Sequence, residues 1–367
     1  MMIQDRVQKT RHEPLTYSPF FYRPAIGKEK EALLKLLQDN PQISVYDELE
    51  GQLKELIKSK HPSRRLTAEE STAAIKEHLG GIAPEDYGVW VHYPWAGKVV
   101  HLLDEQEFIT MRTSRNLHKI TIEERDILGS KRIGVIGLSV GQTIALTLTM
   151  ERICGELRLA DFDTVELSNL NRLRTGVFNL GLPKVIIAAR EILELDPFMK
   201  VKCYTDGATE ENLHSFFTEG GKLDVLVEEC DGVDVKILSR IRAKALKVPV
   251  VMDTNDRGML DIERYDLEED YPLLHGLIPD IADLSVLRNL TNEEKIPILG
   301  PMAGIKDMSP RMKQSLGEIG KTITTWPQLA SSVMLGGALV ADTCRRILLG
   351  QLQSSGRYYV DFDQLIQ

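Results

Sequence analysis

Apolar positions along this chain change period several times, and each change predicts an element. Residues 132–136 (RIGVI), 224–228 (DVLVE) and 249–253 (PVVMD) are short, nearly continuous apolar runs, the pattern of strands buried on both faces. Residues 157–161 (LRLAD) predict a further strand that ends on a carboxylate, with a turn at 137–141 and an apolar helix at 143–153 ahead of it. Alternation over 260–265 predicts an edge or meander strand, and 357–362 a final one. A long apolar helix is expected from Trp326 to Leu349, closed by Gly350. Its small residues, such as Gly336 and Gly337, permit close backbone approach. The polar, Gly- and Pro-rich stretch 280–320 predicts an irregular crossover over the site.

The first 110 residues read as a separate α+β region. Leu33, Leu36 and Leu37 stand at helical spacing within 28–37, and Leu49, Leu53, Leu56 and Ile57 do so within 47–58. Thr67 with Glu70 is a capping box that opens a third helix running to His78. Runs 88–93 and 98–103 predict strands joined at Pro94-Trp95-Ala96-Gly97. Trp90, Tyr93 and Trp95 belong to the packing face of this small domain or mark a partner surface. Lys58, Lys60, His61, Arg64 and Arg65 make a basic cluster, a loop rim or a contact for an acidic carrier or nucleotide.

Chemistry concentrates where the central strands end. A strand, a glycine turn at Gly137, Ser139 and Gly141, and a helix place phosphates at the helix N-terminus, where unpaired N–H groups and the helix dipole favour anions. Asp161 at the next strand end is placed to accept hydrogen bonds from a ribose, or caps a turn. Beyond it stand Asn169, Arg172 and Lys184. A dinucleotide needs only the turn and the ribose acid, so two further cations and an amide suggest a longer anionic chain, such as a triphosphate. Asp231, just past the strand at 224–228, is where one carboxylate plus phosphates would hold Mg²⁺.

DFDTVELSNLNR, the Pro183-Lys184 pair and the Cys230-Asp231 turn resemble the ThiF/MoeB-type adenylyltransferases, which share their fold with ubiquitin-activating enzymes. The resemblance covers roughly residues 112–349. It implies an α/β, Rossmann-like ThiF-type adenylation domain at 111–367 behind the small α+β accessory domain at 1–110. It implies ATP and Mg²⁺ as the requirements, and attack of a carboxylate on the α-phosphate. Carried over by position, Asp161 holds the ribose, Asn169, Arg172 and Lys184 cradle the phosphates, and Asp231 holds Mg²⁺. Gly137, Ser139 and Gly141 form the nucleotide turn. Arg115, in Arg112-Thr113-Ser114-Arg115-Asn116, corresponds to an arginine finger donated across a homodimer. The expected substrate is a carboxylate, such as a Gly-Gly-tailed carrier protein, a peptide C-terminus or a small acid. Members acting on threonylcarbamoyl-adenosine in tRNA show a different substrate for the same chemistry. The pairing of GLSVG with CGELRLADFD is similar to a bacterial subgroup whose longer members append a nitroreductase-like domain, which is not expected within these 367 residues.

The chain departs from the family pattern in several places. Ser139 and Val140 stand where glycines are usual, and a β-branched residue suits positive φ poorly. Either Gly141 takes over in a reshaped turn, or nucleotide binding is weakened. Leu173 replaces the usual Gln after the arginine. Of the four cysteines, none lies between Cys230 and Cys344, where thioester-forming members keep their nucleophile, and no CxxC pair exists. Neither zinc nor a cysteine thioester is therefore expected, and the cysteines read as reduced residues of a cytoplasmic protein.

A net charge of −9 argues against general nucleic-acid binding, and 43% hydrophobic content over 367 residues suffices for one large and one small core. No secretory signal or membrane helix is expected from the apolar runs. Two other classes stay open: a Rossmann redox protein using NAD or FAD, and a catalytically silent ThiF-like scaffold.

Overall fold

The computed structural model describes residues 15–278, 298 and 300–366. The first part of the crossover expected over 280–320, residues 280–297, lies outside the described residues, as does residue 299. The chain divides into two compact units: one of residues 1–121 with Asp196–Phe198, the other of Ile122–Leu195 with Met199–Gln367.

In the first unit, β1 (Phe20–Tyr22), α1 (Gly27–Asp39), β2 (Ser44–Asp47), α2 (Leu49–Lys60) and α3 (Ala68–Leu79) precede β3 (Val89–Tyr93), β4 (Lys98–Leu102) and α4 (Glu105–Arg112). The four strands form one sheet in the order β1-β3-β4-β2, with β2 parallel to β4 and the other pairs antiparallel. The helical spacing of Leu49, Leu53 and Leu56 is explained by their burial with Leu79 and Leu103. The Thr67–Glu70 capping box forms as its sequence requires, satisfying two N–H groups that helix starts leave unpaired. Tyr93 packs edge-on against Trp95 in a buried cluster, and Trp90 stacks on the ring of His101. β1 and β2 escape a periodicity reading because they are three and four residues long and neither contains a buried residue.

The second unit holds α5 (Ile122–Gly129), β5 (Arg132–Ile136), α6 (Gly141–Glu151), β6 (Glu156–Ala160), α7 (Lys184–Leu195), β7 (Lys200–Tyr204), α8 (Glu210–Thr218) and β8 (Val225–Glu228). α9 (Val233–Ala245), β9 (Val250–Thr254), β10 (Met259–Glu263), α10 (Pro310–Leu316), α11 (Ala330–Leu348), β11 (Gly356–Tyr359) and α12 (Phe362–Leu365) follow. Its seven strands run β11-β10-β9-β8-β5-β6-β7, parallel from β9 to β7 and antiparallel at β10 and β11. This is the mixed α/β, Rossmann-like class. Ile133, Val135, Leu157, Leu159, Val225 and Val227 are fully buried, which accounts for strands without polar alternation.

α11 begins at Ala330, later than the apolar run that opens at Trp326. Trp326 precedes a proline and is biased away from helix, while the Gln328 carbonyl accepts a hydrogen bond from the Asn171 amide at 2.7 Å. Gly336 and Gly337 let α11 settle closely. A Cβ on Gly336 would fall 2.3 Å from an Asp253 oxygen, and one on Gly337 would fall 2.6 Å from Thr143 of α6. Among the described residues no helix is long and apolar enough to cross a membrane.

Candidate functional site

Strand order reverses between β5 and β8, so the turns after these two strands face one crevice at the carboxyl end of the sheet. The turns touch through backbone. Gly137 has φ +86°, and a Cβ there would lie 2.7 Å from the Glu229 carbonyl and the Cys230 nitrogen, so glycine is required. A Cβ on Gly141 would lie 2.7 Å from Val135 Cγ1, which makes Gly141 the close contact of α6 with β5. Between them Val140 adopts φ −108°, ψ −45°, in the right-handed helical region. The strain expected of a β-branched residue in this turn is absent, because only Gly137 within it needs positive φ.

Asp161 follows β6 and is buried. One oxygen accepts the Leu138 N–H at 2.6 Å and the other accepts the Asp163 N–H at 2.8 Å. Burial raises its pKa, against these bonds and the nearby Lys184 charge. Lys184 opens α7 and is also buried. Its Nζ donates to Asp163 at 2.8 Å and to Ser139 Oγ at 3.3 Å, which brings the distant lysine onto the glycine turn. Gly137, Ser139, Gly141, Asp161 and Lys184 therefore surround one turn.

The loop between β6 and α7 carries the remaining cation. Asn169 is buried in the 3-10 turn Leu167–Asn171, and its Oδ1 accepts the Glu166 N–H at 3.0 Å, which fixes the loop's entry. Arg172 Nη1 donates to Asn171 Oδ1 at 2.9 Å, whereas its Nε is buried with no partner among the described residues. Burial lowers the Arg172 pKa, and the neighbouring Asp231 charge opposes this. Arg172 and Asp231 thus lie within electrostatic reach across the crevice. Leu173 packs with Val165 and Ile187, so the position that departs from the family pattern fills an apolar cluster beneath the loop. Arg115 stands exposed on the 3-10 turn Ser114–Asn116 of the first unit.

Ser139 and Asp231 also line a cavity of about 170 Å³. Its walls include Glu229 and Asp253 at the ends of β8 and β9, together with Met302, Met308 and Trp326. Glu229 Oε1 accepts the Asp253 N–H at 2.9 Å. Desolvation pushes Asp253 up to about 7, and desolvation together with the Asp253 charge raises Glu229 well above the ordinary carboxylate value. Glu228, one residue away, is the opposite case. Burial alone would raise it, yet Lys236 and Arg240 hold it at about 2, and Arg240 also pairs with Glu263 at 2.5 Å. Cys230 lines the cavity too, and burial with the Glu228 charge raises its thiol well above the usual range, against thiolate chemistry.

Four contributors to this site escaped the sequence reading. Asp163 was hidden because its pairing with Lys184 spans a loop. Asp253, Asn255 and Gln328 reach the cavity from segments with no motif. One signal was available: Asp253-Thr254-Asn255-Asp256 is a polar run at the carboxyl end of a buried strand, where such folds bind ligands.

Residues 113–360 match the model of the ThiF family. The uncharacterized protein MT1398 of Mycobacterium tuberculosis (strain CDC 1551 / Oshkosh) is 47% identical over 272 residues, covering 74% of this chain and 38% of that protein. The tRNA threonylcarbamoyladenosine dehydratase 2 of Saccharomyces cerevisiae is 24% identical over 257 residues, or 62% of this chain and 57% of that one. The molybdopterin-synthase adenylyltransferase of Haemophilus influenzae is 24% identical over 215 residues, covering 56% and 82%. The chain thus spans well under two thirds of the first two relatives' lengths.

Proposed function

This chain belongs to the ThiF family, and from that premise we propose that it is an ATP-dependent adenylyltransferase that activates a carboxylate as its acyl-adenylate. A carboxylate oxygen of the substrate attacks the α-phosphorus of ATP. The new acyl–O–P bond forms as the bond from the α-phosphorus to the bridging oxygen breaks, and pyrophosphate leaves with that electron pair.

The observation that carries this reading is the buried, unpaired Arg172 Nε beside Asp231, across from a turn that already holds Lys184. An unmade buried donor costs about 1–3 kcal/mol, so a structure that keeps one points to a missing acceptor, and a phosphate oxygen supplies it. Lys184 would exchange Asp163 for phosphate, and Asn169 would hold the loop that presents Arg172. Such fixed cations stabilise charge that develops in the transition state. Asp161 holds the turn with one lone pair on each oxygen, leaving others for the ribose. Gly137, Ser139 and Gly141 form the phosphate turn.

Among the described residues no cluster of three or more His, Cys, Asp or Glu could hold a metal by itself. A Mg²⁺ bound through phosphates needs only one or two carboxylates. Asp231, exposed at the cavity and close to Arg172, fits that role, and the ion would supply charge neutralisation between the phosphates. Cys230, the cysteine beside the site, has its thiol held protonated, which supports transfer from the adenylate without a thioester.

The acid is a carrier-protein C-terminus of the Gly-Gly type, a peptide C-terminus or a small acid. In this reading the protein acts as a cytoplasmic homodimer in which Arg115 serves as the finger. Residues 1–110 serve as an accessory domain to the adenylation domain at 111–367.

ATP–pyrophosphate exchange across a panel of acids tests the proposal. Acid-dependent exchange that falls at least about a hundredfold in Arg172→Ala and in Lys184→Ala is the expected result. Exchange that survives both substitutions would overturn these roles. A redox activity with NAD or FAD, unaffected by either substitution and without exchange, would overturn the reaction.

A further inference from the structure

The polar atoms around the cavity are unbalanced in kind. Four buried side-chain atoms on its lining residues have no hydrogen-bond partner among the described residues: both Asp253 oxygens, Asn255 Oδ1 and Gln328 Oε1. All four are acceptors. A proton shared with Glu229 would satisfy one Asp253 oxygen and leave the other three atoms unmet.

Charge is unbalanced in the same direction. Glu229, Asp231, Asp253 and Asp256 line the cavity, with Lys236 as the lysine among them. Lys236 is already committed, donating to both Glu228 oxygens at 3.1 and 3.0 Å. Asp256 is committed as well, accepting from the Ser309 N–H and hydroxyl at 2.8 and 2.6 Å. Asp231 is open to solvent, so what remains is the Asp253–Glu229 pair, only 5% exposed at Asp253, together with two amide oxygens. Buried carboxylates are tolerated when a cation pairs with them, and orphaned buried acceptors call for donors.

We propose that the cavity binds an alkylammonium group, held by Asp253 and Glu229 with the side-chain oxygens of Asn255 and Gln328. An ammonium brings three donors and one positive charge to these acceptors, in place of the proton that Asp253 and Glu229 otherwise share. Met302, Met308 and Trp326 then face its carbon chain, and an indole face attracts a cation besides. A phosphate or free carboxylate would meet the Asp253–Glu229 carboxylates there, with Lys236 already bonded to Glu228. A divalent metal is the poorer fit, since no cluster of three or more acidic, His or Cys residues suited to one occurs among the described residues.

The ammonium has two sources. It belongs to the acid being activated, which is then an amino acid or amino-terminated acid, or to an amine that accepts the acyl group. Assigning the source rests on the adenylation reading; the binding itself does not.

The test is a thermal-shift titration without nucleotide, using n-butylammonium chloride against NaCl of equal ionic strength, n-butanol and MgCl₂. Stabilisation by butylammonium alone, abolished in Asp253→Asn and reduced several-fold in Gln328→Leu, is the expected result. The second variant leaves the acid pair intact, so it reads the site independently of the change in stability that Asp253→Asn brings. No stabilisation by butylammonium, an equal shift in both variants, or a shift with MgCl₂ alone that is lost in Asp253→Asn would overturn the proposal. ATP–pyrophosphate exchange with 6-aminohexanoate and hexanoate separates the sources. Exchange with the amino acid alone assigns the ammonium to the activated acid. Exchange with hexanoate, while butylammonium still binds, assigns it to the acceptor amine. Binding without exchange for any acid overturns the adenylation reading and leaves the cation site standing.

Discussion

Asp161 accepts the Leu138 N–H at 2.6 Å, and that bond ties the carboxylate after β6 to the turn that leaves β5. The second oxygen secures Asp163, whose side chain pairs with Lys184. One buried acid therefore fixes both the glycine turn and the lysine beside it.

Asp161→Ala removes the acceptor for two backbone N–H groups. Urea unfolding is expected to show a loss of about 1–3 kcal/mol, and stabilisation by ATP is expected to disappear even where the variant stays folded. Asp161→Asn, which keeps one acceptor oxygen, should lose less stability.

The turn tolerates Val140 because its backbone is right-handed there, and this separates two glycine substitutions. Val140→Gly is expected to lower stability by about 1 kcal/mol or more, through unfolded-chain entropy and lost burial, without tightening ATP binding. Gly137→Ala forces a side chain into positive φ against the Glu229 backbone, and is expected to cost more than about 2 kcal/mol. Paired urea melts measure both.

Asp253 titrates at about 7 in the fold, because burial disfavours its charge, against 3.8 for the free side chain. Between those values the native state keeps a proton that the unfolded chain has released, so this group lowers stability as pH rises. Glu229 acts in the same direction. Asp253→Asn is expected to be the more stable protein at pH 8, by on the order of 2 kcal/mol, and to lose that advantage near pH 4. Thermal melts of both proteins across pH 4–8 measure the crossing.

Gly336 lies against the Asp253 carboxylate, where a Cβ would come within 2.3 Å of an oxygen. Gly336→Ala should therefore displace α11 or the acid. The expected outcome is a loss of more than about 1 kcal/mol together with a weaker response to butylammonium, both read by thermal shift. Ser331→Ala, at an exposed position of the same helix, should change neither.

The central sheet was legible because its strands are buried on both faces and carry uninterrupted apolar runs, as at Ile133–Ile136 and Val225–Val227. The turn glycines, Asp161 and Lys184 were legible because fixed spacing along the chain brings them to one strand end. The acid pair was not, since Glu229 and Asp253 meet only through the adjacency of β8 and β9. Gln328 was hidden for a related reason: its segment leaves the helical run at Pro327 and is held by Asn171, a contact spanning 157 residues. Val140 misled because a residue type was taken to report φ, which the neighbouring Gly137 in fact absorbs.

The most direct test of the central claim is calorimetric binding of ATP with Mg²⁺, repeated with EDTA, with NAD⁺ and FAD, and with Arg172→Ala and Asp231→Ala. The account predicts that ATP binds with Mg²⁺, that Arg172→Ala abolishes binding, and that EDTA or Asp231→Ala weakens it by at least about tenfold. Binding of a dinucleotide without ATP, or ATP binding indifferent to Arg172, would contradict it.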